Sequence, residues 1–420
     1  MKNLFNFLGL LALIVFPSTV LGFESPSGAT YAVVILSGLL SLFIYRKEHF
    51  PVSPDEKKLF FSVALFYFMA LAGTLYLGTS IDNADRFMAM VLIIPGYMFF
   101  KSFPYNKEKY LWSGLVLGAF ASVGVGLYQV FGPEHLARAK GVTHPILYGD
   151  IALIMGLMSL AGIGWFKSQK NWMVILPVIA FIAGLLSSAL SLSRGGWVAL
   201  PLIGLLYFWF LTRFLTFKKV AVIAVLFVGS LSVIYLLPQT GVQKRVDNTL
   251  QNLNHYLDSQ SINDQIRSSS IGTRFEMWKA AWILFKENPV VGVGWDQYID
   301  KARQLADKGL VSKSAYAHSH PHNEFLSTLA KGGLLSFIGL MSLLLYPAYY
   351  FYRAIKNHTE PEIQRAALAG LILITGFACF GFSEAIFERS RPANFYSFYL
   401  AVLLAMVTNY SAGKTGKVAS

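Results

Sequence analysis

Apolar residues fall in long runs separated by short polar clusters, at about 4–22, 30–45, 59–79, 87–100, 110–131, 147–166, 172–193, 196–215, 220–237, 325–352, 366–386 and 393–410. Runs near twenty residues match the length a helix needs to cross the hydrocarbon core of a bilayer. The pattern predicts an all-α, polytopic integral membrane protein with about twelve transmembrane helices. The first run, "MKNLFNFLGLLALIVFPSTVLGF", also has the form of a secretory signal peptide with "VLG" as a cleavage site. Cleavage there would leave eleven spans with the other loops on the same sides. The short alternating segments of an outer-membrane barrel are not seen, nor is an internal repeat or a heptad pattern.

One long polar stretch interrupts the runs. It divides the chain into helices one to nine (1–237), a loop (238–324), and helices ten to twelve with a short tail (325–420). The first part of the loop, "QTGVQKRVDNTLQNLNHYLDSQSINDQIRSSS", is polar and expected to be partly helical. In "GTRFEMWKAAWILFKENPVVGVGWDQY" that follows, Thr273 and Glu276 have the spacing of a capping box. Met277, Ala281, Leu284 and Phe285 recur at helical spacing beside Trp278 and Trp282, and Asn288-Pro289 stops the helix. Such an amphipathic helix suits a membrane–water interface or packing against the bundle.

Composition agrees: 55% of residues are hydrophobic and only 14% charged, against about a quarter in soluble chains. The net charge of +13 would suit a nucleic-acid partner, but its placement speaks for membrane orientation instead. Of 35 lysines and arginines, 18 lie at the termini and in alternate connections such as "RKEHFPVSPDEKK" and "RAIKNHTEPEIQR". Six lie in the short loops of the other side: Arg86, Arg138, Lys140, Arg194, Arg389 and Arg391. The remaining 11 belong to the long segment and its junction with the next helix. Short basic loops stay cytoplasmic, whereas long loops translocate largely regardless of charge. Both termini are therefore expected in the cytoplasm and 238–324 outside. The single cysteine, Cys379, has no partner for a disulfide or a thiolate metal site and reads as a buried thiol.

Three places invite chemistry. Arg194, in "SSALSLSRGGWVALP", stands between two apolar runs at the outer side. It reads either as a residue snorkelling to lipid headgroups or as an anion clamp with paired donors. Arg274 is placed in the first turn of the expected capped helix, where a cation opposes the helix dipole unless an anion is bound there. Finally, "AHSHPHNEFLSTLAKGGLLSFIGL" gathers His318, His320 and His322 with Asn323 and Glu324 before an apolar run. Alternating histidines on an extended chain could present metal ligands to one face. They could equally be ordinary polar residues at a loop–membrane junction. One could act as a general base, since imidazole titrates near ~6.5. The residues alone leave these alternatives open. No Walker A or dinucleotide glycine pattern occurs, and no paired aspartates on an outer loop to hold a metal–nucleotide. An enzyme on the outer face needs a donor activated beforehand, such as a lipid-linked pyrophosphate.

Three motifs then carry a resemblance. "SRGG" at 193–196, the Arg/Trp/Pro/Gly-x-Gly pattern of 272–298, and "HPHNEFLSTLAKGGLLS" at 320–336 are similar to those of the O-antigen ligases. These belong to a superfamily shared with O-antigen polymerases and protein O-oligosaccharyltransferases. Weaker similarities lie in "THPILYGD" (143–150) and "FERSRP" (387–392). One departure is Ser336, where the pattern has a second small residue such as glycine.

The resemblance implies a GT-C-like membrane glycosyltransferase of the bacterial inner membrane with its active site facing the periplasm. Its donor would be O-antigen on undecaprenyl pyrophosphate and its acceptor lipid A–core, with no nucleotide, no cofactor and no metal. By the same resemblance His322 is the catalytic base, and Arg194 and Arg274 bind the pyrophosphate. Arg389 and Arg391 would hold phosphates, and Asn323 and Glu324 would support His322. His318 and His320 fall off the motif position. A polymerase, a protein O-oligosaccharyltransferase and a lipid-linked oligosaccharide transporter are the competing expectations. Among intramembrane ionisable residues, a transporter would draw on Asp150, Lys331 and Glu384.

Overall fold

A computed structural model describes residues 2–44, 52–102, 107–222, 225, 229, 251 and 270–415. Most of the expected ninth span and of the polar first part of the loop lies outside these. The described residues are all-helical, with no strand among them. The main helices are α1 (Lys2–Thr19), α2 (Ser25–Ile44), α3 (Pro54–Tyr76), α4 (Ile93–Lys101), α5 (Glu108–Phe131), α6 (Pro145–Ala161) and α7 (Ile163–Gln169). They continue as α8 (Ile175–Leu190), α9 (Ala199–Leu211), α10 (Ser270–Glu287), α11 (Tyr298–Asp307), α12 (Glu324–Asn357), α13 (Pro361–Phe380) and α14 (Ser390–Thr415). Among the described residues, five helical stretches are long and apolar enough to cross a membrane, or six if α6 and α7, bent by 53°, count as one. Four shorter apolar helices, Leu4–Thr19, Ser25–Leu40, Met88–Lys101 and Gly195–Leu211, coincide with other expected runs.

The chain forms two compact units. The first comprises Met1–Leu71, Ala84–Ala199 and Ile338–Ser420, and the second Ala72–Asn83 and Leu200–Phe337.

In the first unit the usual amphipathic logic is turned outward. Along α8 the large side chains Ile175, Val178, Ile179, Ile182 and Leu186 are exposed, while Ala180, Ala183, Gly184, Ser187 and Ser188 are buried. Lipid tails are as apolar as leucine, so such helices associate through small residues that let backbones approach closely. Gly184 abuts α6, where an added Cβ would stand 2.6 Å from the Ala152 carbonyl oxygen. Gly38 of α2 meets the Pro95 carbonyl oxygen of α4 in the same way, at 2.1 Å.

The first helix is built into this unit. Phe16 is 1% exposed and stacks on Phe398 of α14 at 4.3 Å between ring centres. A Cβ on Gly114 of α5 would lie 1.9 Å from the Leu13 carbonyl oxygen. Gly114→Val is accordingly expected to push α1 off α5 and cost about 1–3 kcal/mol or more. Thermal unfolding of the detergent-solubilised protein checks this, and an unchanged midpoint would show that α1 does not pack there. The centre of the unit is α14, whose Phe395, Tyr396, Tyr399 and Leu400 are all fully buried. Cys379 is buried in α13, as expected.

The second unit has a small core of its own. Ala280, Ala281 and Leu284 of α10 pack with Tyr298, Ala302 and Leu305 of α11, joined by Val293, Val311, Ala315 and Ala330. Tyr298 donates its hydroxyl to the carbonyl oxygens of Met277 and Ala315, at 3.1 and 3.4 Å.

Candidate active site

Each unit carries part of the sequence-predicted site. In the second unit, α10 begins by Ser270, three residues before the expected cap. The capping box is therefore not formed: Thr273 lies inside the helix, and Glu276, fully buried, accepts the Ser312 backbone N–H instead. Arg274 is half-buried and lies beyond the first four residues of α10, so free helix-start amides do not explain its position. Trp282 is 48% exposed, whereas Met277, Ala281 and Leu284 face the core. The apolar positions of this helix are thus divided between packing and an outer tryptophan face.

After α10 the chain turns through Pro289–Trp295 and meets a break in α12. Gly333 sits at φ 61°, ψ −166°, which interrupts the helical ladder. A break strands backbone donors and acceptors, and buried ones must find partners. The loop supplies them. Val293 and Gly294 donate their N–H groups to the carbonyl oxygens of Ala330 and Lys331, each at 2.9 Å. Leu334 and Leu335 donate to the carbonyl oxygens of Pro289 and Val290, at 2.8 and 3.0 Å.

Glycine is required on both sides of this junction. Gly292 has φ +67° and its missing Cβ would meet the Lys331 carbonyl carbon at 2.4 Å; Gly333 would meet the Val290 oxygen at 2.3 Å. The Gly-x-Gly and Lys-Gly-Gly motifs therefore form one structure. Gly333→Ala is expected to cost roughly 2–4 kcal/mol, from backbone strain and the clash together. Limited proteolysis between α10 and α12 would report it as faster cleavage.

That junction fixes the first turns of α12, and with them the histidines. Asn323 caps the helix, its Oδ1 accepting the Leu326 N–H at 3.0 Å, and its carbonyl oxygen accepts the Ser327 N–H. Glu324 is 1% exposed and accepts the Thr328 hydroxyl at 3.3 Å. His322 has φ 49°, a left-handed conformation uncommon for a residue with a side chain. The three imidazoles do not alternate along an extended strand. His318 and His320 pack edge-on against the His322 ring, with centroids 4.7 and 4.6 Å away. His320 also accepts the His322 backbone N–H through Nδ1 at 3.3 Å. Behind them Trp278 donates its Nε1–H to the Pro321 carbonyl oxygen at 2.9 Å. His320 and His322 bring ring nitrogens within 4.8 Å of each other, so the pair could supply two imidazole ligands to a metal.

In the first unit the "SRGG" segment is the turn from α8 into a 3₁₀ stretch, Gly195–Val198. Leu192, just ahead of it, is at φ 53°, so both motif turns contain a strained non-glycine residue. The Arg194 guanidinium is half-buried and lies over the Trp197 ring at 5.8 Å. Trp197 is itself tied to the Ser188 hydroxyl at 3.1 Å. The two glycines admit polar side chains: a Cβ on Gly195 would be 2.5 Å from Ser383 Oγ, and one on Gly196 would be 2.2 Å from Asp150 Oδ1. Asp150 is fully buried, and neither carboxylate oxygen has a hydrogen-bond partner among the described residues.

The neighbouring basic residues divide by role. Arg138 donates Nε–H to the Ser191 carbonyl oxygen at 2.9 Å, and burial lowers its guanidinium from the ordinary value. Arg391 is half-buried and donates to the Val142 carbonyl oxygen, which joins the last helix to the loop before α6. Arg389 is exposed. Arg86 pairs with Glu388 at 3.4 Å. The sequence signals for this cluster were "THPILYGD" and "FERSRP". They marked the segments but not Ser383 or Arg138 as neighbours of the turn.

These elements define an all-helical protein with several apolar helices and two strained polar turns. Residues 178–341, which include both turns, match the family described as O-antigen ligase. A Haemophilus influenzae protein described as uncharacterized is 27% identical over 388 residues, covering 91% of this chain and 94% of its own length. An Escherichia coli K12 protein described as an O-antigen ligase is 22% identical over 400 residues, covering 90% of this chain and 87% of its own. These matches support membership of the O-antigen ligase superfamily.

Proposed function

We propose that the protein is a glycosyltransferase that moves an O-antigen glycan from undecaprenyl pyrophosphate to a sugar hydroxyl of lipid A–core. The reaction would take place at the periplasmic face of the inner membrane. The observation that carries this reading is His322, held in a left-handed turn by a capped helix and flanked by two imidazoles inside the matched region.

His322 takes the proton of the acceptor hydroxyl as that oxygen attacks the anomeric carbon from the face opposite the leaving group. The bond from the anomeric carbon to the pyrophosphate oxygen breaks, undecaprenyl pyrophosphate departs with the electron pair, and the anomeric centre inverts. Arg194 and Arg274 hold the pyrophosphate and stabilise the charge that grows on it, with Arg389 and Arg391 as further phosphate contacts. Asn323 supports His322 as the cap of α12, and Glu324 as a buried acceptor beside it. Pyrophosphate is a good leaving group, so neither ATP nor a strong general acid is needed.

The test is transfer by the purified protein from lipid-linked O-antigen to lipid A–core, with EDTA and without ATP. A shift of lipid A–core to long lipopolysaccharide on a gel is expected. Donor units joining one another instead would make the protein a polymerase. Modified protein would make it a protein O-oligosaccharyltransferase, and glycan crossing vesicles with no new bond a transporter. Transfer that stops with EDTA and returns with a divalent ion would assign His320 and His322 to a metal.

A further inference from the structure

A cavity lies at the end of the first unit where α3 begins and α12 ends. It encloses about 670 Å³. Its walls carry balanced charge: Asp55 and Glu56 of α3, Lys101 of α4 and Arg353 of α12. Lys101 is bonded to Glu56, which also accepts the Tyr97 hydroxyl and the Ser53 backbone N–H. Arg353 and Asp55 form a looser pair, 3.7 Å apart, with side chains 47% and 48% exposed. A pair at that distance and exposure is weakly held and open to a ligand that offers both charges.

The cavity does not end at the polar groups. Tyr346 and Tyr349 belong both to it and to an apolar groove of about 490 Å³ that runs along α12 past Leu345 and Met341 to Ile338. Leu345 is 64% and Ile338 57% exposed. From Tyr349 back to Ile338 is eleven residues, ~16 Å of helix. That is close to half of a ~30 Å hydrocarbon core, the depth of one leaflet. Tyrosines at the change from polar cavity to apolar groove sit where aromatic side chains mark the headgroup level.

We infer that this cavity and groove bind one phospholipid with a primary-ammonium zwitterionic headgroup, its phosphate on Arg353, its ammonium on Asp55 and one acyl chain along α12. A glycerol headgroup would meet the Asp55 carboxylate without a cation to offer it. A choline headgroup carries the cation but has no N–H to donate. Phosphatidylethanolamine satisfies both side chains.

The full-length protein is purified, delipidated and offered equal amounts of phosphatidylethanolamine, phosphatidylcholine and phosphatidylglycerol with identical chains. Retained lipid is read by native mass spectrometry. About tenfold preference for phosphatidylethanolamine is expected, the scale of a charge-assisted hydrogen bond. Asp55→Ala should abolish the preference over phosphatidylglycerol, and Arg353→Ala should lower retention of all three headgroups. Leu345→Trp should do the same by filling the groove. Equal retention of the three lipids by the wild type, or a preference for phosphatidylglycerol, would overturn the assignment. So would an unchanged preference in folded Asp55→Ala and Arg353→Ala proteins. If either variant fails to run as a single species on gel filtration, the wild-type competition decides.

Discussion

Replacing His322 by Asn should leave a folded protein whose glycan transfer is lower by about 10²–10⁴-fold, the contribution of a positioned general base. Asn is chosen for the backbone. At φ 49° this position disfavours most side chains, and Asn is among the few residues that tolerate the left-handed region. The variant therefore removes the imidazole without adding strain, and its melting midpoint should match or exceed that of the wild type. His320→Asn is expected to have a smaller effect. His320 accepts the His322 amide and packs on its ring, so it positions the base rather than takes the proton. The measurement is single-turnover transfer with saturating donor, each variant corrected for folded protein. Near-normal transfer by His322→Asn would remove the general-base role.

Arg365→Ala should be the most destabilising single truncation in the first unit. The Glu108 side chain is 3% exposed and holds the Arg365 guanidinium through two oxygens, at 2.8 and 2.9 Å. Trp112 donates to the same carboxylate at 3.1 Å. Loss of the arginine takes both guanidinium donors from a buried carboxylate. Breaking a buried pair in this way costs about 3–5 kcal/mol. The midpoint of thermal unfolding in detergent should fall sharply, while transfer per folded molecule stays unchanged, since neither residue belongs to the proposed site. The double variant Glu108→Leu, Arg365→Met should recover part of the loss, because the buried charge is gone although the Trp112 indole N–H loses its acceptor. A melt of Arg365→Ala that overlays the wild type would show that this pair does not hold α5 to α13.

The helical class, the places of the apolar runs and the three motif segments were legible in the chain. Each depends on neighbours within about twenty residues: hydrophobic length, positive charge between runs, and Asn-Pro or Gly-Gly punctuation. The helix stop after α10 was read correctly for that reason. The capping box was misread because Thr273 and Glu276 have the right spacing in either setting. What separates the settings is Ser312, 36 residues from Glu276, whose amide takes the carboxylate. The alternation of the three histidines suggested one face of an extended chain, but the backbone turns at His322 and folds the rings together.

By itself, then, the sequence determined which stretches are helical and apolar, and which short segments are too polar or too glycine-rich to be plain spans. Tertiary structure alone decided that Gly-x-Gly and Lys-Gly-Gly are one junction, that α14 lies at the centre of the first unit, and that Arg365 answers Glu108 257 positions away. The physical reason is common to all three. Burial and hydrogen-bond satisfaction are settled between segments distant in sequence, where neither hydrophobic period nor residue spacing carries information about the partner.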